Sequence, residues 1–495
     1  MDIVVVRKRC EVFMEVFTDA SIEAELQEYF SFFVPGYRFM PKYKSKMWDG
    51  KIRLYNRLTK QIYIGLYPKV KQFCKERGYD LSEDNQIQDI QSQATTTFIE
   101  EFLETLKLPF QAREYQIKAI THAVKNNRTV LLSPTGSGKS LMIYALTRFY
   151  GLKTLIIVPT IGLVNQMKDD FENYSVNDPS FDADQSIHLV HGGTTKGSTK
   201  DIVISTWQSI YKQKPDYFEQ YDVVFGDEVH LFKAKSLTSI LEKLSKAAFR
   251  FGTTGTLDGS LTHKLVLEGL FGSVHKVTTT KNLMEDKHLA ELDINCLILD
   301  YEESVCKENK GLKFQEEMKF LISHPQRNLF IRNLSCKLKG NTLVLFQYVE
   351  KHGKILHKII ESKAKKDDPD RKIFYVSGET DGETRENVRK IVEKEDNAII
   401  VASVGVFSTG VNIKNLENII FASPSKSRIR TLQSIGRTLR VGRSDKARLF
   451  DICDDLSYKS HKNFTLKHFM ERVKIYNDEK FNYKIKKVKM KTKEK

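Results

Sequence analysis

The chain is poor in paired cysteines, in long apolar runs and in excess negative charge, and each shortage removes a class of protein. Six cysteines at positions 10, 74, 296, 306, 336 and 453 of 495 residues form no CxxC pair. That scatter excludes a zinc ribbon and a disulfide framework, and it fits a reducing, intracellular setting. No apolar run reaches the length of a membrane span. The opening Met-Asp-Ile-Val-Val-Val-Arg-Lys-Arg puts its apolar stretch before its charges, opposite to a secretory signal. A soluble, cytoplasmic protein without a membrane partner is expected. Lysine and arginine number 79 against 63 acidic residues, a formal net charge of +16. The excess favours a polyanionic partner and salt-sensitive binding, with DNA, RNA and acidic lipid undistinguished by composition. No short-period repeat and no nuclease constellation is visible.

What is present begins with Ser133-Pro134-Thr135-Gly136-Ser137-Gly138-Lys139-Ser140, between an apolar strand over 129–132 and a helix opening at Lys139. That context is what a phosphate-binding loop requires. The glycines let the backbone wrap so that amide hydrogens and the helix N-terminus face phosphates. Lys139 is then expected to neutralise the β- and γ-phosphates of ATP, and the Ser140 hydroxyl to ligate Mg²⁺. Serine at 133 stands where the general pattern has glycine. Asp227-Glu228-Val229-His230 follows the apolar strand 221–225, which places two carboxylates at the carboxyl end of a parallel strand, where such sheets bind ligands. Asp227 is the expected Mg²⁺ partner of Ser140. Glu228 is expected to orient and deprotonate water, because phosphoryl transfer needs a positioned nucleophile and neutralised charge. Solvated acids on a loop are the alternative, and the upstream phosphate loop weighs against it. His230 has no second His or Cys at ligand spacing and is expected to couple sites by hydrogen bonds.

Gln433, Arg437 and Arg440 recur at spacings of four and three and share one helix face. Aimed at a γ-phosphate, the two arginines would act as fingers on transition-state charge. Without a phosphate loop elsewhere, the same helix would be read as lying on nucleic-acid phosphates.

The domain pattern follows from the strand signals. Residues 1–82 read as a small α+β nucleic-acid-binding domain, with a strand over 3–17, a helix over 21–33, and a hairpin of 44–48 and 51–55 around Asp49-Gly50. A further strand over 61–66 and a helix over 68–77 complete it. Residues 83–97 read as a Gln/Ser/Thr-rich linker. From 98 to 285 strands alternate with helices in the manner of a parallel α/β sheet, and the pattern restarts over 286–455. Residues 456–495 read as a helical extension with a basic tail; 484–495 carry seven lysines and one glutamate and are expected to be disordered and to bind phosphates nonspecifically. The fold class is α/β, two tandem RecA-like domains with a small α+β domain before them and a basic helical extension after. In the first domain Tyr37, Arg38, Lys42, Tyr43, Lys44, Lys46, Trp48, Lys51, Arg53 and Tyr55 interleave cations with aromatics, a composition that binds phosphates and stacks on bases. Period-two alternation would instead turn some of those aromatics into the domain core. Lys44, Lys46, Trp48, Lys51 and Arg53 are the expected contacts. The element order is reminiscent of double-stranded-RNA-binding domains, a fold analogy.

Over residues 110–455 the chain resembles the superfamily-two helicases and translocases. Arg113-Glu-Tyr-Gln116 is similar to the adenine-reading motif, which implies that Arg113 and Gln116 bind the nucleotide with Gln116 on the base. Val158-Pro-Thr160 and Ser205-Thr206-Trp-Gln208 resemble strand-contacting motifs, which implies nucleic-acid contacts from Thr160 and Thr206. Thr254-Gly255-Thr256 occupies the place of the S/T-A-T coupling motif, with glycine where alanine is usual. Leu345-Phe-Gln-Tyr348 and Ser403 to Val411 resemble the fourth and fifth motifs, implying that Thr409 touches the nucleic-acid backbone and Gly410 lies near the γ-phosphate. The D-E-x-H, R-x-Y-Q and Q-x-x-G-R-x-x-R strings favour the DNA-directed branch. Within it the whole chain resembles recombination helicases of T-even bacteriophages. That resemblance implies ATP-driven remodelling of branched DNA in a bacterial host's cytoplasm: junction migration, fork regression and unwinding of RNA–DNA hybrids in R-loops. An RNA helicase and an annealing protein with an incidental motor stay open as alternatives. No protein partner is legible.

Overall fold

Apolar β-branched runs dominate the strands, and the computed structural model assembles them into two compact units, Met1–Thr278 and Thr279–Lys495. It describes residues 2–84, 86–87, 93–231, 235–257, 261–409, 413, 415–423 and 446–490. No described helix is long and apolar enough to cross a membrane.

The first unit opens with β1 (Ile3–Lys8) and β2 (Phe13–Phe17), then β3 (Ser31–Phe33), β4 (Lys51–Arg53), β5 (Gln61–Tyr63) and β6 (Asp80–Glu83). A four-stranded sheet runs β5-β2-β1-β6, and β3 pairs with β4 alone. Alternation along β1 and β2 buries Val4, Val6, Met14 and Val16 against Ile22, Leu26, Phe30, Val70 and Phe73 from the two helices. The structure corrects the expected hairpin. β4 pairs antiparallel with β3, Ser31↔Arg53 through Phe33↔Lys51, while Pro41–Lys44 is a helical turn. Pro41 at the first helical position presets φ for a helix, so the 44–48 segment never extends.

This small domain is fused to the sheet that follows it. Tyr63 donates to Glu242 (2.6 Å), the Glu11 N–H donates to the Ser245 carbonyl (3.0 Å), and Arg128 donates to the Glu11 carbonyl (2.9 Å) while pairing with its carboxylate. Backbones touch as well. A Cβ on Gly65 would drive into the Glu268 carbonyl, and one on Gly269 would lie 2.8 Å from the Tyr63 ring.

The large sheet of the first unit contains β7 (Arg128–Leu132), β8 (Thr154–Val158), β9 (Ile187–Val190), β10 (Ile202–Thr206), β11 (Val223–Asp227), β12 (Phe249–Thr254) and β13 (Val274–Lys276), all parallel, ordered β13-β7-β12-β11-β8-β10-β9. Its central strands are apolar on both faces, as burial under helices on each side demands.

The second unit repeats the plan with β14 (Glu291–Asp300), β15 (Thr342–Phe346), β16 (Ile373–Val376), β17 (Ile399–Ser403), β18 (Asn418–Phe421), β19 (Lys446–Asp455) and β20 (Tyr483–Lys489), ordered β16-β17-β15-β18-β19-β14-β20 and parallel throughout. The tail departs from expectation. Instead of being disordered from 484, residues 483–489 form the edge strand, paired from Ile294↔Tyr483 to Asp300↔Lys489. Main-chain hydrogen bonding to β14 specifies that strand, so a lysine-rich composition does not prevent it. The helix Phe464–Asp478 precedes it, its start tied down by Glu317, which accepts from the Phe464 and Thr465 N–H groups (2.8 and 2.7 Å).

Candidate nucleotide site

The loop 133–138 joins β7 to the helix Lys139–Tyr150. Gly136 and Gly138 both sit at positive φ, 85° and 79°, which β-carbons disfavour. The loop is cross-braced by its own serines. Ser133 Oγ donates to Ser137 Oγ (2.6 Å), and Ser137 Oγ donates to the Pro134 carbonyl (2.7 Å). Serine at the glycine position is therefore a structural brace, buried and hydrogen-bonded.

Gln116 and Tyr115 hold the loop from behind. Gln116 Nε2 and Tyr115 Oη both donate to the Ser137 carbonyl (2.8 and 3.0 Å), and Gln116 Oε1 accepts from the Arg113 N–H (2.8 Å). Arg113 Nη1 in turn donates to Tyr115 Oη (2.8 Å). Of the two predicted nucleotide-binding side chains, Gln116 thus touches the phosphate loop directly and Arg113 reaches it through Tyr115. A side chain at 138 would collide with Gln116, a second reason for glycine.

Lys139 reaches across the loop, its ammonium 3.4 Å from the Ser133 carbonyl and 3.6 Å from Glu228. Ser140 Oγ shares a 2.8 Å hydrogen bond with Tyr174 Oη. Asp227 ends β11, buried, and accepts from Thr253 Oγ1 of the neighbouring β12 (2.7 Å). Burial and the adjacent Glu228 push its carboxyl up to about 6, and Lys139 and Thr253 only partly offset them. Glu228 stands at φ 53°, a left-handed conformation rare for a residue with a side chain. Its carboxylate lies 3.1 Å from His230 Nδ1, and that nitrogen is 3.0 Å from Thr254 Oγ1. Thr254 Oγ1 also donates to the Thr256 carbonyl (2.9 Å). A chain of contacts therefore runs Lys139–Glu228–His230–Thr254, joining the phosphate loop, the acidic pair and the coupling motif. Among the described residues no cluster of three or more His, Cys, Asp or Glu side chains has metal-holding geometry. A divalent cation seated here would rest on one buried carboxylate, Asp227, with a hydroxyl from Ser140, the oxygen donor set of a magnesium ion that keeps most of its waters.

Thr160 and Thr206 meet at one rim. With Pro159, His191, Gly192, Gly193, Lys196 and Gln208 they line a cavity of about 540 Å³. Thr160 caps the helix Ile161–Tyr174 by accepting from the Leu163 N–H, and Thr206 bonds Ser209 (2.9 Å). Sequence reading missed the 191–196 contribution because β9 is only four residues long and interrupted by His188. In the second unit the Leu345–Tyr348 motif leaves β15, and the Gln347 N–H donates to Ser423 Oγ (3.1 Å), which also contacts His352 Nδ1 (3.1 Å). Thr409 ends the helix Val404–Thr409. Gly410, Gln433, Arg437 and Arg440 lie outside the described residues.

In the N-terminal domain the five expected contacts divide. Trp48 Nε1 donates to the Lys51 carbonyl (2.8 Å), Lys51 pairs with Glu28, and Arg53 pairs with Asp49. Those three brace the hairpin, whereas Lys44 and Lys46 are exposed.

Two seven-stranded parallel sheets, with a phosphate loop after one strand and a D-E-x-H sequence after another, define an ATP-dependent helicase of superfamily two. Family models agree in order: "DNA helicase UvsW, N-terminal" over 5–84, "Type III restriction enzyme, res subunit" over 109–259 and "Helicase conserved C-terminal domain" over 326–442. The chain is 37% identical to the ATP-dependent DNA helicase uvsW of Enterobacteria phage T4 over 493 residues, 94% of this chain and 95% of that one. It is 23% identical to the DNA 3′-5′ translocase XPB2 of Sulfurisphaera tokodaii over 79% of this chain and 89% of that one. The crystal structure of T4 UvsW matches with a TM-score of 0.51 at 34% identity, covering 99% of this chain and 100% of that chain. The chain belongs to the UvsW family of ATP-dependent DNA helicases.

Proposed function

We propose that this helicase remodels branched DNA: it migrates junctions, regresses forks and unwinds the RNA–DNA hybrids of R-loops. The observation that carries the reading is the fusion of a basic small domain to the motor sheet by Tyr63–Glu242, Glu11–Ser245 and Arg128–Glu11, which would add a nucleic-acid contact beyond the proposed strand contacts of Thr160 and Thr206. A motor needing only one strand has no use for a second, rigidly attached basic surface.

The amides of Thr135, Gly136 and Gly138 and the Lys139 ammonium bind the ATP phosphates. Ser140 and Asp227 hold Mg²⁺, which when bound neutralises phosphate charge. Phosphates compete with Glu228 for Lys139. Once that contact loosens, the Glu228 carboxylate, steered by His230, accepts a proton from the attacking water. Because His230 also touches Thr254, the state of Glu228 is felt at Thr254-Gly255-Thr256. Gln433, Arg437, Arg440 and Gly410 are proposed, from their sequence pattern, to attend the γ-phosphate. Thr160, Thr206 and Thr409 are proposed to grip the strand.

The test is ATP hydrolysis without nucleic acid and with single-stranded DNA, linear duplex, a four-way junction and RNA, with Lys139→Ala as the inactive control. Hydrolysis by Lys139→Ala should fall to background while DNA binding persists. The four-way junction should stimulate the wild type most. Equal stimulation by linear duplex would remove the branched-DNA reading, and stimulation chiefly by RNA would replace it with an RNA helicase.

A further inference from the structure

Residues 31–53 build a lobe that carries two highly exposed apolar side chains. The pair β3–β4 forms its base, and above it Phe33 stacks on Tyr37 (4.7 Å between centroids) and Tyr37 meets Tyr43 edge-on (4.8 Å). Gly50, at φ 85°, lies directly against the Tyr37 ring, where no side chain fits. Lys51 sits over the Phe33 ring, and the Trp48 indole is tied to the Lys51 carbonyl. This aromatic stack makes the lobe stiff.

Its two most exposed apolar side chains are left out of the stack. Phe39 is 81% exposed and Met47 is 75% exposed. Their backbones are fixed: the Phe39 N–H donates to the Gly36 carbonyl (3.0 Å), and the Met47 N–H donates to the Lys42 carbonyl (3.0 Å). Lys42, Lys44 and Lys46 surround them in sequence, and among the described residues no carboxylate pairs with any of the three. Elsewhere in the same domain most basic residues are paired with carboxylates, as Lys60 and Arg57 are with Glu23 beside the exposed Leu58.

Two exposed apolar side chains and three lysines without carboxylate partners, carried on one braced lobe, match one occupant by chemistry: the end base pair of a DNA duplex, with its flanking phosphates. We propose that Phe39 and Met47 are the strand-separating wedge of this helicase, stacking on the base pair at a branch point while Lys42, Lys44 and Lys46 hold the phosphates beside it. Apolar side chains of this kind part base steps, and aromatic stacking on bases is sequence-tolerant. The fusion to the motor sheet is what makes a wedge effective, because a tip carried by the body that grips the strand is driven into the fork as that body advances. The inference rests on the branched-DNA reading and names the element that reading lacks.

The test uses the full chain and a fork carrying 2-aminopurine at the branch point. Binding of wild type without ATP should raise the fluorescence through unstacking. The double variant Phe39→Ala/Met47→Ala should lose that rise and unwind the fork about tenfold more slowly, while hydrolysis stimulated by single-stranded DNA stays at the wild-type rate. Lys42→Gln/Lys44→Gln/Lys46→Gln should weaken fork binding and flatten its salt dependence, yet keep the fluorescence rise at saturation. Leu58→Ala should behave as wild type. A double variant that keeps both the rise and the unwinding rate overturns the wedge and leaves the tip as a protein-docking surface. The branched-DNA reading fails separately, if the wild type hydrolyses ATP no faster on forks than on linear duplex.

Discussion

Both units bury aspartates at the carboxyl ends of their parallel strands, and they treat them in opposite ways. In the second unit Asp454 takes two hydrogen bonds from the fully buried Arg327 (2.8 and 3.0 Å) and one from Tyr301 (2.9 Å). Asp451 is likewise held by Arg472 (2.7 Å) and Tyr476 (2.9 Å). In the first unit Asp227 has a threonine hydroxyl and, among the described residues, no guanidinium, and the buried Arg250 of that sheet spends its donors on the carbonyls of Leu241, Leu244 and Leu270. Pairing offsets the cost of desolvating a carboxylate, and the unpaired one bears it as a raised pKa. A buried acid left without a guanidinium in a sheet that had an arginine at hand is an acid kept for a ligand.

Breaking the paired side should have the largest effect. Asp454→Asn leaves Arg327 charged and buried without its partner, and a loss of about 3–5 kcal/mol is expected in thermal unfolding. Arg327→Met combined with Asp454→Leu should recover much of it, since hydrophobic replacement of such a pair is often neutral.

The unpaired side should respond with the opposite sign. The Asp227 carboxyl titrates near 6 in the fold against about 3.9 when unfolded. Below about pH 4 both states are protonated and nothing is lost. As pH rises toward 6 the unfolded state ionises first, so stability falls, and above 6 the deficit is constant. Asp227→Asn should therefore match the wild type near pH 4, exceed it in stability from pH 6 upward, and hydrolyse ATP only at background. A smaller change is expected for Thr253→Val. Removing the hydroxyl that favours the carboxylate should move the pH midpoint of nucleotide binding upward, read by titration across pH 5 to 8. Smallest of all is Gly255→Ala. A Cβ there would lie 3.7 Å from Lys139 Nζ, the Ser133 carbonyl and the Thr135 nitrogen, ordinary contact, so hydrolysis should stay within about twofold and stability within about 0.5 kcal/mol. Glycine in place of the usual alanine thus leaves the site's geometry as it was.

The sequence made the fold legible where burial is two-sided. Strands such as Thr154–Val158, Thr342–Phe346 and Ile399–Ser403 are unbroken apolar runs that leave few other readings. Edge strands escaped it. β9 and β13 are short, and β20 reads Tyr-Lys-Ile-Lys-Lys-Val-Lys, a composition that hides a strand held by its backbone. Asp49-Gly50 misled: only Gly50 takes a positive φ, and the pair closes no hairpin, because the strand that pairs with β4 is β3, on the far side of the helical turn that Pro41 starts. At the site, chemistry confined to one loop or one strand end was readable: Lys139, Asp227 and Glu228 converge as their motifs imply. The partners that tune them, Thr253, Tyr174 and Tyr115, come from other elements and carry no motif.

The central claim, that Asp227 is the carboxylate reserved for the cation that accompanies ATP, is tested most directly by counting protons. Calorimetric titration with the magnesium complex of a non-hydrolysable ATP analogue, at pH 5.5 in two buffers of different ionisation heat, gives the protons released per site. The wild type should release more than Asp227→Asn at pH 5.5, and the difference should vanish at pH 8. Equal release by the two proteins at pH 5.5 would contradict the account.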